Sequence, residues 1–223
     1  MALPPTRSEE CVESAPSEES APAGQPVPQR QIRAAYTDET VTVYQAYPPG
    51  IGEPTARDGQ FPAVWSRSRM TWIKPSFRWM MYRCGWGTKP GQEVVLALEI
   101  SRAGFESALA QACLSHYDRD VHPDRAAWAD RLRETTVRVQ WDPERDLDFT
   151  ALPYRSLQLG LAGSATRDYA DHWLRSVRDV TPLAHEVHRL VRAGDRAAAA
   201  ALLPAEAPYP RLAEPTAREL RLS

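Results

Sequence analysis

The stretch VVLALEI, residues 94–100, carries six apolar residues out of seven. A half-buried strand alternates apolar and polar side chains. A short unbroken apolar run bounded by polar residues predicts instead a strand covered on both faces. Ser101 follows, and its hydroxyl can accept a free backbone N–H at the start of a helix running to about Cys113. Upstream, residues 32–36 and 40–46 read as strands around the polar turn Asp38-Glu39. In the second, Val41, Val43 and Gln45 share one face while Thr42, Tyr44 and Ala46 share the other. Residues 50–59 suggest a short helix or loop. Downstream, Val137, Val139 and Trp141 alternate with Thr136, Arg138 and Gln140 in a strand expected to end at the turn Asp142-Pro143. Leu157, Leu159 and Leu161 alternate with Ser156, Gln158 and Gly160 in another. Helices are expected over about 166–178, 182–193 and 195–203, the second opening at Thr181-Pro182 and closing before Gly194. Strands and helices mix without a regular βαβ rhythm. The expected fold is α+β: a single compact domain, a mixed or antiparallel sheet flanked by helices, and a C-terminal helical portion.

Composition narrows the function classes. The chain has 223 residues, a formal net charge of −2 and 43% apolar residues. A strongly basic nucleic-acid coat is therefore excluded for the chain as a whole. No apolar run approaches the ~18 residues of a membrane span, and the N-terminus lacks the charged and apolar regions of a secretory signal. Cys11, Cys84 and Cys113 are too widely and irregularly spaced for a disulfide framework or a zinc motif, so no metal site is expected and a cytoplasmic setting is. Residues 1–29 hold six prolines and five glutamates against one arginine, the composition of a disordered leader. The folded domain is expected over residues 30–203, followed by an irregular tail over 204–223.

The strip WSRSRMTWIKPSFRWMMYRCGWGTK (65–89) departs from the rest. It contains Arg67, Arg69, Lys74, Arg78, Arg83 and Lys89, four of the seven tryptophans, and no carboxylate. Unneutralised cations repel, so an anionic partner is a sensible reading, and cations beside aromatic faces suit a phosphate joined to a flat base. Trp72 and Trp79 are the candidate stacking residues. Lys74-Pro75 predicts an extended residue followed by a helix from Pro75 to Cys84, stopped at Gly85. The N-terminus of that helix, with Lys74 and Ser76 beside it, would cradle an anion. Only two of the 27 cations are lysines, and both fall in this strip. Retaining an amine where arginine prevails suggests a point charge or a nucleophile at Lys74. The same residues also fit a buried core with solvated cations on its surface.

The segments QIRAAY (31–36), VYQAY (43–47), RMTWIKPSFRWMMYR (69–83), WDPER (141–145) and RSLQLGL (155–161) resemble the domain-of-unknown-function family numbered 4291, over about residues 29–193. The shared positions include Arg33, Tyr44, Gln45, Arg69, Lys74, Ser76, Arg83, Arg155 and Gln158. This polar and cationic set is similar in kind to the sites of ADP-ribosyltransferase-like enzymes and RNA 2′-phosphotransferases. The likeness implies an enzyme acting on a nucleotide or RNA phosphate, with NAD as a candidate cofactor; the apolar pattern already gives no membrane partner. Arg33, Arg69, Arg83 and Arg155 would hold phosphate oxygens, and Tyr44 and Gln45 would orient the sugar or leaving group. Lys74 and Arg33 would act in catalysis; the usual catalytic glutamate of such enzymes has no counterpart here, and Gln158, at a strand position, is its nearest substitute. The competing expectation is a module that binds single-stranded nucleic acid without turnover.

Overall fold

The computed structural model describes residues 27–222, so most of the expected leader lies outside the described residues. In chain order the elements are β1 (Arg33–Ala34), β2 (Thr40–Tyr47), α1 (Pro49–Asp58), β3 (Thr71–Ile73), α2 (Phe77–Cys84), β4 (Val94–Ser101), α3 (Arg102–Gln111), β5 (Cys113–Leu114) and α4 (Arg125–Glu134). There follow β6 (Val137–Arg145), β7 (Ala151–Leu161), α5 (Gly163–Asp168), β8 (Leu174–Asp179), α6 (Thr181–Arg192), α7 (Arg196–Ala201), β9 (Ala207–Pro208) and α8 (Glu214–Glu219). The strands form sheets of order β2-β4-β8 and β3-β7-β6-β5, with a small pair β1-β9. Pairing is antiparallel except for β5 beside β6.

The apolar run at 94–100 is β4, the middle strand of its sheet, and both its faces are covered. Leu96, Leu98 and Ile100, with Val41 and Val43 of β2, pack against Ile73, Val139, Leu157, Leu159 and Leu161 of the other sheet. Val95 and Ala97, with Tyr44, face Phe77, Met80 and Met81 of α2 and Ala184 and Val187 of α6. The protein is thus an α+β fold in which one core lies between two sheets and a second lies between a sheet and its helices. Each fully buried Leu contributes about 1.5–3 kcal/mol, so β4 anchors both layers. Ser101 caps α3 as its position suggests, accepting from the Gly104 N–H at 3.3 Å.

Five local expectations are corrected. The helix expected over 166–178 is α5, then a single π-helical turn at Tyr169–Trp173, then β8. Residues 174–179 complete the edge of β4, with Val177 opposite Leu98 and the Ser176 hydroxyl donating to Glu99 at 2.8 Å. Long-range pairing there outweighs local periodicity. The strand expected to end at Asp142-Pro143 continues to Arg145. Pro143 stands opposite Arg155 beside a register shift, where a missing N–H is tolerated. Cys113, expected on a helix, lies in β5. The helix expected from Pro75 begins at Phe77, because Ser76 is the cap and accepts the Trp79 N–H at 3.1 Å. Residues 204–222 contain β9 and α8, and Leu220 is fully buried.

Candidate functional site

The two larger sheets meet where β2 runs past the end of β3. The Tyr44 N–H donates to the Lys74 carbonyl at 2.7 Å, and Gln45 donates its side-chain amide to Thr71 Oγ1 at 2.7 Å and the Trp72 carbonyl at 3.0 Å. Tyr169 in turn donates its hydroxyl to Gln45 Oε1 at 2.6 Å. Gln45 is therefore a fully bonded brace that ties the sheets together. Against this seam lies a cleft of about 360 Å³ whose walls include Gln45, Thr71, Trp72, Lys74, Met80, Arg83, Gln92 and Gln158. Two cations and no carboxylate are found among the described residues that line it.

Lys74 sits at the floor of this cleft with 7% of its surface exposed. Its Nζ donates to the Trp72 carbonyl at 3.1 Å and lies 5.4 Å from the centre of the Trp79 ring. Burial, reinforced by the charge of Arg83, lowers the amine from the ordinary lysine range to about 7; Asp142 and Cys84 pull the other way. The uncharged amine is therefore far more accessible near neutral pH than in an ordinary lysine. Such a group can accept a proton or attack an electrophile, which an ordinary lysine rarely does.

The rest of the floor follows from strand alternation. Trp72 and Lys74 point to the same side of the β3 strand, and Trp72 pairs across with Gly160 of β7. A Cβ on Gly160 would lie 2.9–3.0 Å from three neighbouring atoms of the Trp72 six-membered ring. Near-equal distances of this kind place the ring face-on against the glycine. Two residues before Gly160, Gln158 presents its amide on the same side and donates to Asp142 of β6. Asp142 also accepts from Gln140 at 3.0 Å, so both its oxygens are engaged in fixing amides. Arg83, exposed at the rim, donates to Gln92 at 3.3 Å.

The structure brings together Lys74, Trp72, Arg83, Gln158 and Gln45, and leaves the other expected residues elsewhere. Arg69 is exposed on the loop before β3, away from the cleft lining. Arg33 lies in β1 and donates to Gln31 at 3.1 Å. Arg155 donates to the Trp141 carbonyl at 3.0 Å and lines a separate cleft with Arg30, His116 and Asp118. Tyr44 and Trp79 are core, Tyr44 packing edge-on against Phe77 at 5.4 Å. Burial raises the Tyr44 hydroxyl far above the ordinary tyrosine range. Trp65 and Trp86 are buried too, stacked on Phe61 and Phe149. The carboxylate-free strip is partly neutralised in space, since Arg67 pairs with Asp171 at 2.9 Å.

Ser76 works as a cap, and the helix start beside it is not open to an external anion. The Phe77 N–H donates to Glu206 Oε1 at 2.6 Å, so a carboxyl from the C-terminal segment occupies the expected cradle. Burial, with Glu144 nearby, raises Glu206 from the ordinary carboxyl range to about 8, against the opposing pull of the Phe77 N–H, Arg78 and Arg33. Nothing in the local sequence marks Glu206, which is brought there by β9 pairing with β1. Asp142 was equally silent, standing at an expected turn.

A family model described as Domain of unknown function (DUF4291) matches residues 31–209, well over half of the chain. The chain belongs to that family. No match is found among curated proteins.

Proposed function

We propose that the seam cleft is the active site of an enzyme that handles a nucleotide or RNA phosphate, with ADP-ribosyltransferase- or 2′-phosphotransferase-like transfer chemistry as the reaction class. The observation that carries this reading is a cleft lined by Lys74 and Arg83 with no acidic residue among its described walls. Arg83 at the rim would hold phosphate oxygens through paired N–H groups. Trp72, flat on Gly160, would offer its other face to a base, and a stack of this kind contributes about 1–3 kcal/mol. Gln158, aimed by Asp142, would hydrogen-bond the sugar or leaving group. Lys74 would transfer the proton, since burial brings its amine down from the ordinary lysine range toward neutral pH. Arg33, Arg69 and Arg155 have no part in this version of the site.

The test is a thermal-shift and turnover screen against NAD, ATP, ADP-ribose and short RNA. A ligand at 100 times its dissociation constant adds about 2.7 kcal/mol to stability, a readily measured shift. The expected result is a shift by at least one of these anions that Arg83→Gln and Trp72→Leu reduce, with turnover that Lys74→Ala abolishes. Absence of any shift at millimolar ligand overturns the reading. Salt-sensitive oligonucleotide binding with every component unchanged would make the protein a binding module instead.

A further inference from the structure

The amine of Lys74 has a second chemical capacity that goes beyond phosphate handling. Its Nζ is held by one backbone carbonyl, that of Trp72 at 3.1 Å, and has no carboxylate partner in hydrogen-bond reach among the described residues. It opens onto a cleft of about 360 Å³, large enough for a small organic molecule, and Arg83 shares that cleft. An amine without an anionic partner, facing a cavity with a guanidinium at the rim, has the layout required to capture a carbonyl compound that also bears a negative charge. Lys89 provides an internal contrast. It is exposed, donates to the carbonyls of Tyr82 at 3.1 Å and Arg83 at 2.9 Å, and lies outside the cleft lining.

We propose that Lys74 is a covalent capture site for small anionic aldehydes or 2-oxo acids, which it binds as an imine while Arg83 holds their carboxylate or phosphate. In the step, the Nζ lone pair attacks the carbonyl carbon and the carbonyl oxygen takes up a proton to give a carbinolamine. Loss of the amine proton and departure of the hydroxyl as water leave the C=N bond, with no net oxidation or reduction. The neutral amine is the reactive form, and burial with the charges of Arg83 and Asp142 sets how much of it is present near pH 7. The capture shares the cleft with the phosphate-handling reading but does not depend on it.

The chain suits a direct test because Lys74 and Lys89 are its only lysines. The full chain is incubated at pH 7 with glyoxylate and, separately, with the uncharged aldehyde propanal, and trapped with sodium cyanoborohydride, which reduces the imine to a stable secondary amine. Intact mass and peptide mapping then locate the adduct. The expected result is at least tenfold faster labelling of Lys74 than of Lys89 by glyoxylate. Lys74→Arg should lose the fast phase, and Lys89→Arg should keep it. Arg83→Gln should slow labelling by glyoxylate several-fold more than labelling by propanal, because loss of the rim charge leaves less neutral amine for both aldehydes but removes the anion contact for glyoxylate alone. Equal labelling of the two lysines, or equal slowing of both aldehydes in Arg83→Gln, overturns the proposal. Protection by ATP or NAD reports separately on the phosphate-handling reading, so the two stand or fall independently.

Discussion

Replacing Lys74 by methionine should make the protein more stable at mildly acidic pH, and the gain should vanish in alkali. The buried amine titrates near 7 in the folded chain, whereas an unfolded lysine titrates near 10.4. Between those values the unfolded chain binds the extra proton, so stability from this group rises with pH across that window. Below pH 7 the ammonium is present in both states, and the folded state bears the full desolvation penalty. A gap of about 3.5 units corresponds to about 5 kcal/mol, an upper bound once local relaxation is allowed for. Methionine keeps much of the lysine stem and its packing while removing the charge. Urea midpoints for wild type and Lys74→Met at pH 6, 7, 8, 9 and 10 give the difference directly. Other titrating groups, Glu206 among them, act on both proteins and cancel. The variant should lead by about 2–4 kcal/mol at pH 6 and lose that lead by pH 10. Parallel stability curves across this range, or a variant weaker at pH 6, would refute the claim that Lys74 is held as a strained buried cation.

Glu206→Gln keeps an oxygen to accept the Phe77 N–H but removes the proton. Because the folded carboxyl titrates near 8, its stabilising effect is complete below the ordinary carboxyl range and is lost as pH rises through 8. The variant should match wild type in thermal melts at pH 4 and exceed it at pH 9; equal melting temperatures at both ends would show that Glu206 ionises freely. Gly160→Ala places a methyl 2.9–3.0 Å from the Trp72 ring. It should cost about 1–3 kcal/mol in urea unfolding and shift the tryptophan emission, with Trp72→Leu in the same background restoring most of the loss.

How far the fold was legible follows from which forces set each element. The run 94–100 declared itself because a strand buried on both faces has no room for polar side chains. The alternation at 137–141 and 157–161 was visible because one face of each strand is core while the other faces the polar floor. Residues 174–179 were misread because an edge strand with one partner carries little pattern of its own, and its pairing with β4 is a long-range fact. The carboxylate-free strip points to the seam cleft through Lys74, Trp72 and Arg83. It overcounted because a run without acids in sequence says nothing about acids arriving from elsewhere, as Asp171 does at Arg67 and Glu206 does at Phe77. Arg155 and Gln158 lie three residues apart on one strand, an odd interval that turns them to opposite sides. Shared motif membership therefore did not mean a shared cleft.

The position of Lys74 is over-determined by its backbone, and this argues that the buried amine serves the site rather than the fold. Its carbonyl is bonded by Tyr44 across the seam, Pro75 restricts its conformation, and Ser76 fixes the start of α2. With the main chain pinned on both sides, the side chain is directed into the floor, where one carbonyl and the face of Trp79 are its neighbours. A methionine or leucine would pack there without a desolvation penalty, and an arginine would suit the composition of the rest of the chain. None of these would offer a basic nitrogen lone pair near neutral pH. A fold that holds an ammonium where it destabilises, in a cleft that also gathers Arg83, Trp72 and Gln158, is accepting a loss in stability that the proposed chemistry at Lys74 would account for.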